Sequence, residues 1–401
     1  MSFDWSSVYA GRARRMGASE IRELLKLLEQ PDIISFAGGI PDPDLFPLDA
    51  FQEAYGAVLG AETSAKAALQ YSLSDGLGEL REWIAGYMTR LGAPCTPANI
   101  LITNGSQQGL EFLGRLMLSP GDPALVTWPT YLGALQAFNA YEPEYVRLDP
   151  RANAGRPELP AGAERAKFAY VVPDFANPSG ATLTLEERER VLGIADSVGA
   201  IVIEDAAYTE LRYEGERIPP LLALDAKRAG GVDQCRTVYC GTFSKTLSPG
   251  LRVGWIAAAA PLIQKLVLVK QASDLHSAPL NQMAVARVAK SAFDAQVARI
   301  RPAYRARRDA MLAALERHMP KGFRWNRPEG GMFVWVEGPE GLDGRALLER
   351  AVKRERVAFV PGQAFFADGS GQECLRLSFS LAEPQEIEEG VRRLAAAIPE
   401  D

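Results

Sequence analysis

This 401-residue sequence is poor in the side chains on which much enzyme chemistry rests. It has two histidines, His276 and His318, too few for a His-rich metal site, and no metal centre is expected. Its four cysteines, Cys95, Cys235, Cys240 and Cys374, include no C-x-x-C pair. That argues against a zinc site or a disulfide framework and leaves them as small buried apolar residues in a reducing compartment. No apolar run is long enough to cross a bilayer, and MSFDWSSVYAGRARRMGASEIRELL lacks an apolar stretch followed by a small-residue cleavage site, so a cytoplasmic protein is expected. Long runs of one charge are missing too. With a net charge of -6 and a pI near 5.4, neither nucleic acid nor a membrane surface is an expected partner, and a small soluble substrate is.

What is there is an ordinary globular composition, 47% hydrophobic and 23% charged, in a chain long enough for one large domain and a smaller one. From about Ile100, short apolar runs alternate with helical stretches: ILIT, SQQGLEFLGRLML, ALVTW, FAYVVP, TLEERERVLGIADSVG, IVIED and TVYCG. This alternation predicts an α/β fold, a three-layer αβα domain with a mostly parallel sheet, whose ligands bind at the carboxyl ends of the strands. After VGWIAAAAP the sequence turns almost continuously helical, up to a long amphipathic stretch over 292–318. Then MFVWV, a helix, VAFV, LRLSFS and a helix through EIEEGVRRLAAAI predict a small α+β domain. IRELLKLL and AGGIPDPDLFP read as an arm packing with that domain, which is thus formed by the chain ends. The expected division is 1–50 for the arm, 51–295 for the large domain and 296–401 for the small one. The AAAA run most simply packs in the core, and no internal repeat is evident. His318, near a helix end in LERHMPKGF, complements the helix dipole, and His276, in SDLHSAPL, is a candidate for lining a cavity.

Chemistry gathers at the predicted strand ends. FAYVVPDFANPSG places Asn177 after one strand, IVIEDAAY places Asp205 and Tyr208 after the next, and TVYCGTFSK places Lys245 after a third. Taken singly, NPSG is a turn, EDAAY an acidic helix start, and a loop lysine a solvated charge. Taken together on one sheet edge, a lysine, an aspartate and an asparagine–tyrosine pair are the groups needed to hold a pyridoxal ring by its aldehyde, its ring nitrogen and its phenolic oxygen. The phosphate of such a group needs donors and positive charge. In NGSQQGL, Asn104 and Gly105 turn a strand into a helix, so that the amides of Ser106 and Gln107 face an anion, although the same letters also make a plain N-cap. Thr242, Ser244 and Arg252, in GTFSKTLSPGLRVGW, add hydroxyls and a guanidinium. Lacking a GK[ST] ending, GSQQGL is not a nucleotide loop.

The ordered series AGGIPDPDLFP, LQYSLSDGLGELR, ITNGSQQGL, PTY, PDFANPSG, EDAAY, GTFSKTLSPGLRVGW, EGGMFVW and LRLSFS covers nearly the whole chain. It resembles the fold-type I pyridoxal-phosphate-dependent aminotransferases of class I/II, and among them the 2-aminoadipate and kynurenine aminotransferase subgroup. The resemblance implies pyridoxal 5'-phosphate as cofactor. It also implies transfer of an amino group between an L-amino acid (2-aminoadipate, glutamate, aromatic or branched-chain) and a 2-oxo acid such as 2-oxoglutarate. Lys245 would attach covalently to the cofactor aldehyde and move the α-proton. Asp205 would pair with the ring nitrogen, Asn177 and Tyr208 would bind the phenolic oxygen, and Tyr131 would stack on the ring; the alternative for Tyr131 is packing under its loop. Tyr71, in QYSLSDG, would reach the phosphate of the neighbouring subunit and make a homodimer part of the site, or else is a surface-loop aromatic. Arg376, in LRLSFS, would take the substrate α-carboxylate beside Asn177, or else a structural salt bridge. Gly39 would let the backbone approach the substrate. Arg22, in SEIRELLKL, would meet a distal carboxylate, or is a helix-surface charge. Two other uses of the scaffold stay open. Ring-binding residues do not select which bond breaks, which leaves β-elimination or decarboxylation; a ligand-sensing regulator is disfavoured because no room for a DNA-binding module precedes the arm.

Overall fold

The computed structural model describes residues 3–15, 32–151 and 162–399. The chain runs through β1 (Ile34–Ser35), α1 (Leu48–Gly60), α2 (Glu62–Ala68) and α3 (Gly78–Arg90) to β2 (Ile100–Thr103), the first strand of the main sheet. Alternation then sets in with α4 (Ser106–Met117), β3 (Pro123–Thr127), α5 (Leu132–Asn139), β4 (Glu144–Leu148), β5 (Phe168–Val171), α6 (Leu185–Val198), β6 (Ile201–Asp205), α7 (Leu221–Ala229) and β7 (Thr237–Thr242). A return strand β8 (Gly254–Ala257), α8 (Ala260–Gln271) and α9 (Pro279–His318) follow. The chain ends in β9 (Arg324–Trp325), β10 (Phe333–Glu337), α10 (Gly344–Arg350), β11 (Val357–Ala358), β12 (Val360–Pro361), β13 (Cys374–Ser378) and α11 (Pro384–Ala397).

Seven strands form one sheet in the order β2-β8-β7-β6-β5-β3-β4, parallel throughout except where β8 pairs with its two neighbours. FAYV and TVYCGT are buried along their whole length, as strands covered by helices on both faces must be. Local chemistry cuts the helices. The Thr184 hydroxyl accepts from the Glu187 amide at 3.2 Å, the Glu187 carboxylate accepts from the Thr184 amide at 2.8 Å, and α6 ends at Gly199 with φ of 70°. The expected α/β architecture with a mostly parallel sheet is the one found. Strand β8 adds to the alternation expected from the sequence, which ended at TVYCG and left GWIA unassigned. The chain turns straight back after β7, so Arg252, just ahead of β8, lies at the edge where the parallel strands end.

A second, antiparallel sheet has the order β12-β13-β10-β9, with Arg376 opposite Trp335 on one side and Val360 on the other. The VAFV run divides at Phe359: β11 pairs in parallel with β1, Ile34 opposite Val357, while β12 joins the second sheet. The Ser378 amide also donates to the Phe36 carbonyl at 2.8 Å, so the segment after residue 32 is laced to the C-terminal part. Helix α9 runs unbroken for 40 residues through Pro302, and the boundary expected at 295/296 falls inside it. Of the AAAA run, Ala257 and Ala258 are in the core, whereas Ala259 and Ala260 lie partly exposed at the start of α8. All four cysteines are free, and burial pushes the Cys95 thiol up to about 12. His318 closes α9 with its Nε2 at 2.7 Å from Glu388. IRELLKLL, and Arg22 with it, lies outside the described residues. Among the described residues no helix is long and apolar enough to cross a membrane.

Candidate active site

The carboxyl ends of β2, β5, β6 and β7 meet the amino end of β8 around a cavity of about 150 Å³. Its lining holds Lys245, Asp205, Asn177, Tyr208, Tyr131, Ser106, Gln107, Thr242, Ser244 and Arg252, ten residues that the sequence reading singled out, together with Val172, Ala207 and Pro249. Parallel strands bring this about: each crossover helix returns the chain to the same end, so successive strands deliver their last residues to one edge.

At the base, the Tyr170 hydroxyl donates to Oδ2 of Asp205 at 2.8 Å, while Oδ1 is buried with no hydrogen-bond partner. Burial raises the Asp205 carboxyl to about 6, against the pull of the Tyr170 hydroxyl, the Ala207 amide and Lys245. Lys245 is half-buried and donates from Nζ to the Gly39 carbonyl at 2.8 Å. Desolvation lowers its ammonium to about 8, helped by the positive charges of Arg376 and Arg252. A Cβ on Gly39 would lie 2.6 Å from Cζ of Phe333, so a bulkier residue would force the ring or this segment to shift. Burial also raises the Tyr131 phenol, to about 12, and that of Tyr208, so both stay protonated near neutral pH. Gly133 makes room for Tyr131, since a Cβ there would run into its ring.

The other end of the cavity gathers groups that suit an anion. Helix α4 opens at Ser106, and its first amides have no intrahelical acceptors. Gly105, at φ of 78°, makes the turn; a Cβ there would run into the Arg252 guanidinium. Arg252 donates to the carbonyls of Asn104 (3.1 Å) and Pro249 (3.2 Å). Thr242 Oγ1 donates to Ser244 Oγ at 2.8 Å and accepts the Ser244 amide at 3.1 Å, which joins the two hydroxyls in one cluster.

Arg376 reaches toward this site from β13. It is 1% exposed, stacks over Phe333 at 4.4 Å and Phe365 at 5.1 Å, and donates from Nη1 to Asn177 Oδ1 at 2.9 Å and from Nη2 to the Ala37 carbonyl. Its Nε is buried without a partner, Nη1 and Nη2 donate to neutral oxygens, and among the described residues no carboxylate pairs with it. Burial lowers it to about 10.

Tyr71 is not part of this cavity. It is 78% exposed and lies edge-on to His276 at 5.7 Å, so His276 packs against a tyrosine and does not line the cavity. Tyr170 was not evident in the sequence, where its only signal was a polar-tipped aromatic inside an apolar strand, nor were Phe333 and Phe365, which look like core residues in any sequence.

The partnerless Oδ1 of Asp205 asks for a buried N–H, and a protonated pyridine nitrogen supplies one. The helix start, paired hydroxyls and Arg252 suit a phosphate, and a lysine of lowered basicity suits an aldehyde. The residues fit pyridoxal phosphate, and the fold and site are those of a pyridoxal-phosphate enzyme. The chain belongs to the aminotransferase class I and II family, whose profile matches residues 32–394. It is 44% identical over 401 residues to a 2-aminoadipate transaminase of Thermus thermophilus, covering 98% of this chain and 97% of the relative. It is 42% identical to an aromatic-amino-acid aminotransferase of Thermococcus litoralis, covering 100% and 96%. The crystal structure of an α-aminoadipate aminotransferase of Thermus thermophilus, complexed with N-(5'-phosphopyridoxyl)-L-leucine, matches with a TM-score of 0.87 at 42% identity over 98% of each chain. The protein is a pyridoxal 5'-phosphate-dependent aminotransferase.

Proposed function

We propose that this aminotransferase moves the amino group of a range of L-amino acids, 2-aminoadipate, glutamate, aromatic and branched-chain, to a 2-oxo acid such as 2-oxoglutarate, and that it works as a homodimer with shared sites. The observation that carries the reading is Arg376. A buried guanidinium without a carboxylate is costly. An α-carboxylate arriving with the substrate matches its planar fork and relieves that cost.

Pyridoxal phosphate, when bound, supplies an electron sink for the α-carbon. The protein does the rest. Asp205 holds the ring nitrogen protonated through its free Oδ1. Ser106, Gln107, Thr242, Ser244 and Arg252 hold the phosphate, Tyr131 covers the ring face, and Tyr208 with Asn177 orients the phenolic oxygen. Asn177 also accepts from Arg376, so one side chain sets the cofactor and the substrate carboxylate in register. Lys245 is the covalent anchor, and with its basicity lowered to about 8 a useful fraction is neutral near pH 7 and can take the α-proton at Nζ and give it back.

For the substrate range, two relatives at nearly equal identity bear different names, one for 2-aminoadipate and one for aromatic amino acids, which favours breadth over a single donor. Contact of Arg22 with a distal carboxylate rests on the resemblance alone. Tyr71, with Leu69 at 75% and Leu73 at 68% exposed beside it, forms an apolar patch of the kind that a second subunit covers. The four free cysteines suit a cytoplasmic setting. A panel of amino donors with 2-oxoglutarate tests the reading: turnover with 2-aminoadipate and with leucine or phenylalanine, all dependent on the 2-oxo acid, is expected. Ammonia or carbon dioxide release without a 2-oxo acid would contradict it.

A further inference from the structure

Behind the turn that opens α4, a partly buried polar network centred on an enclosed lysine stands apart from the cavity. Lys270, in the last turn of α8, is fully enclosed. Its ammonium donates to both carboxylate oxygens of Asp274 at 3.0 Å, to Oε1 of Gln108 at 3.1 Å and to Oγ of Ser277 at 3.1 Å. Oδ2 of Asp274 in turn accepts from the side-chain amides of Asn104 (2.5 Å) and Gln108 (2.8 Å), and Oε1 of Gln108 accepts the backbone N–H of Asn104 at 2.9 Å. The Asn104 carbonyl is taken by Arg252 at 3.1 Å. The backbone N–H, the carbonyl and the side-chain nitrogen of Asn104 are therefore all engaged, and its position is determined from three sides.

Lys270 is enclosed while Asp274 keeps part of its surface in solvent, and an ammonium–carboxylate pair that takes a lysine out of water contributes little net stability compared with an apolar pair of the same volume, so its use here points to a gain in geometry. What it holds is the Asn104–Gly105–Ser106 turn, which sets the first amides of α4 beside Arg252. The same segment also reaches the start of α3 and Tyr71. The Ser277 carbonyl accepts from Gln282 Nε2 at 2.8 Å, Gln282 Oε1 accepts the Leu77 amide at 2.7 Å, and the His276 ring meets Tyr71. We propose that Lys270 and Asp274 are positioning residues for the phosphate of the cofactor, acting through Asn104 and not touching the anion. The inference rests on reading the start of α4 as the phosphate seat.

The test compares pyridoxal 5'-phosphate, pyridoxal without its phosphate, and inorganic phosphate as ligands of the cofactor-free full-length protein and of Asp274→Asn, Lys270→Met and Asn104→Ala. Pyridoxal phosphate and inorganic phosphate should each bind about tenfold or more weakly to the variants, and pyridoxal within about twofold of wild type, as expected when the partner that orients a ligating group is removed. A purely structural defect weakens pyridoxal and pyridoxal phosphate alike, and that result overturns the proposal, as does an unchanged preference for the phosphorylated ligand. Should the single variants fail to fold, Lys270→Met combined with Asp274→Leu supplies a packed apolar pair. Wild-type phosphate affinity in that protein overturns the proposal, and a lost preference supports it. A wild-type protein that binds pyridoxal as tightly as pyridoxal phosphate would remove the phosphate seat itself, and the positioning role with it.

Discussion

The Tyr170 hydroxyl donates to Oδ2 of Asp205 across 2.8 Å, from one parallel strand to the next, with both residues enclosed. This hydrogen bond is one of the few forces favouring the charged carboxylate in a place where burial disfavours it. Tyr170→Phe should let the Asp205 carboxyl rise above its value of about 6. In the cofactor-free protein the midpoint of this carboxyl should move to higher pH, and pyridoxal phosphate should bind at neutral pH about tenfold more weakly, the order expected for losing a hydrogen bond to a charged group. Cofactor binding measured across pH checks it, and an unchanged affinity speaks against the role given to Asp205.

The same carboxylate strains the cofactor-free protein. A folded-state value near 6, above the ordinary 3.8, means that the folded chain binds the proton more tightly than the unfolded chain. Stability from this group is therefore present below about pH 4, falls as pH rises through the window from 3.8 to 6, and stays low above it, a difference on the order of 2–3 kcal/mol. Asp205→Asn, which never ionises, should melt at a higher temperature than wild type at pH 7 to 8 when both are cofactor-free, with the gap closing toward pH 4, while activity is lost. Melting curves across pH measure this; a destabilised variant at neutral pH would contradict it.

Lys245 titrates near 8 because it is desolvated and lies beside positive charge, Arg376 first among the charges. Arg376→Gln removes one of these, so the lysine should regain protons more readily and its midpoint should move above 8. The readout is the pH dependence of modification of Lys245 by an amine-selective reagent in cofactor-free protein, followed at that residue by mass spectrometry. A midpoint that stays or falls would separate the two residues electrostatically.

If Tyr71 completes the partner's site, two inactive variants should rescue each other. Mixing Tyr71→Ala with Lys245→Ala gives mixed dimers in which one site has its own lysine and receives an intact Tyr71. Activity of the remixed sample should exceed that of either parent; no gain after verified subunit exchange would leave Tyr71 as a surface aromatic.

The cofactor edge was legible in the sequence because each strand carries its chemistry at its own carboxyl end. Asn177, Asp205, Tyr208 and Lys245 needed only the alternation of strands and helices to be brought together. The surroundings of Arg376 were not legible, since Ala37, Asn177, Phe333 and Phe365 come from four distant segments and meet only through the second sheet and the β1–β11 pair. Strand β8 was hidden because GWIA is short and runs into a helix start. The Lys270–Asp274 network was invisible for another reason. A lysine and an aspartate four residues apart at a helix end read as a surface pair, and only packing against α4 encloses the ammonium.

In the proposed mechanism Lys245 is the base and anchor on which the amino transfer depends. The most direct measurement supplies ¹⁵N-labelled leucine or 2-aminoadipate, deuterated at the α-carbon, with 2-oxoglutarate to the wild-type holoenzyme and to Lys245→Ala. Wild type should deliver ¹⁵N to glutamate with loss of the α-deuterium, and the variant should deliver none above background. Transfer of ¹⁵N by Lys245→Ala at an undiminished rate, or release of the label as ammonia by wild type, would contradict it.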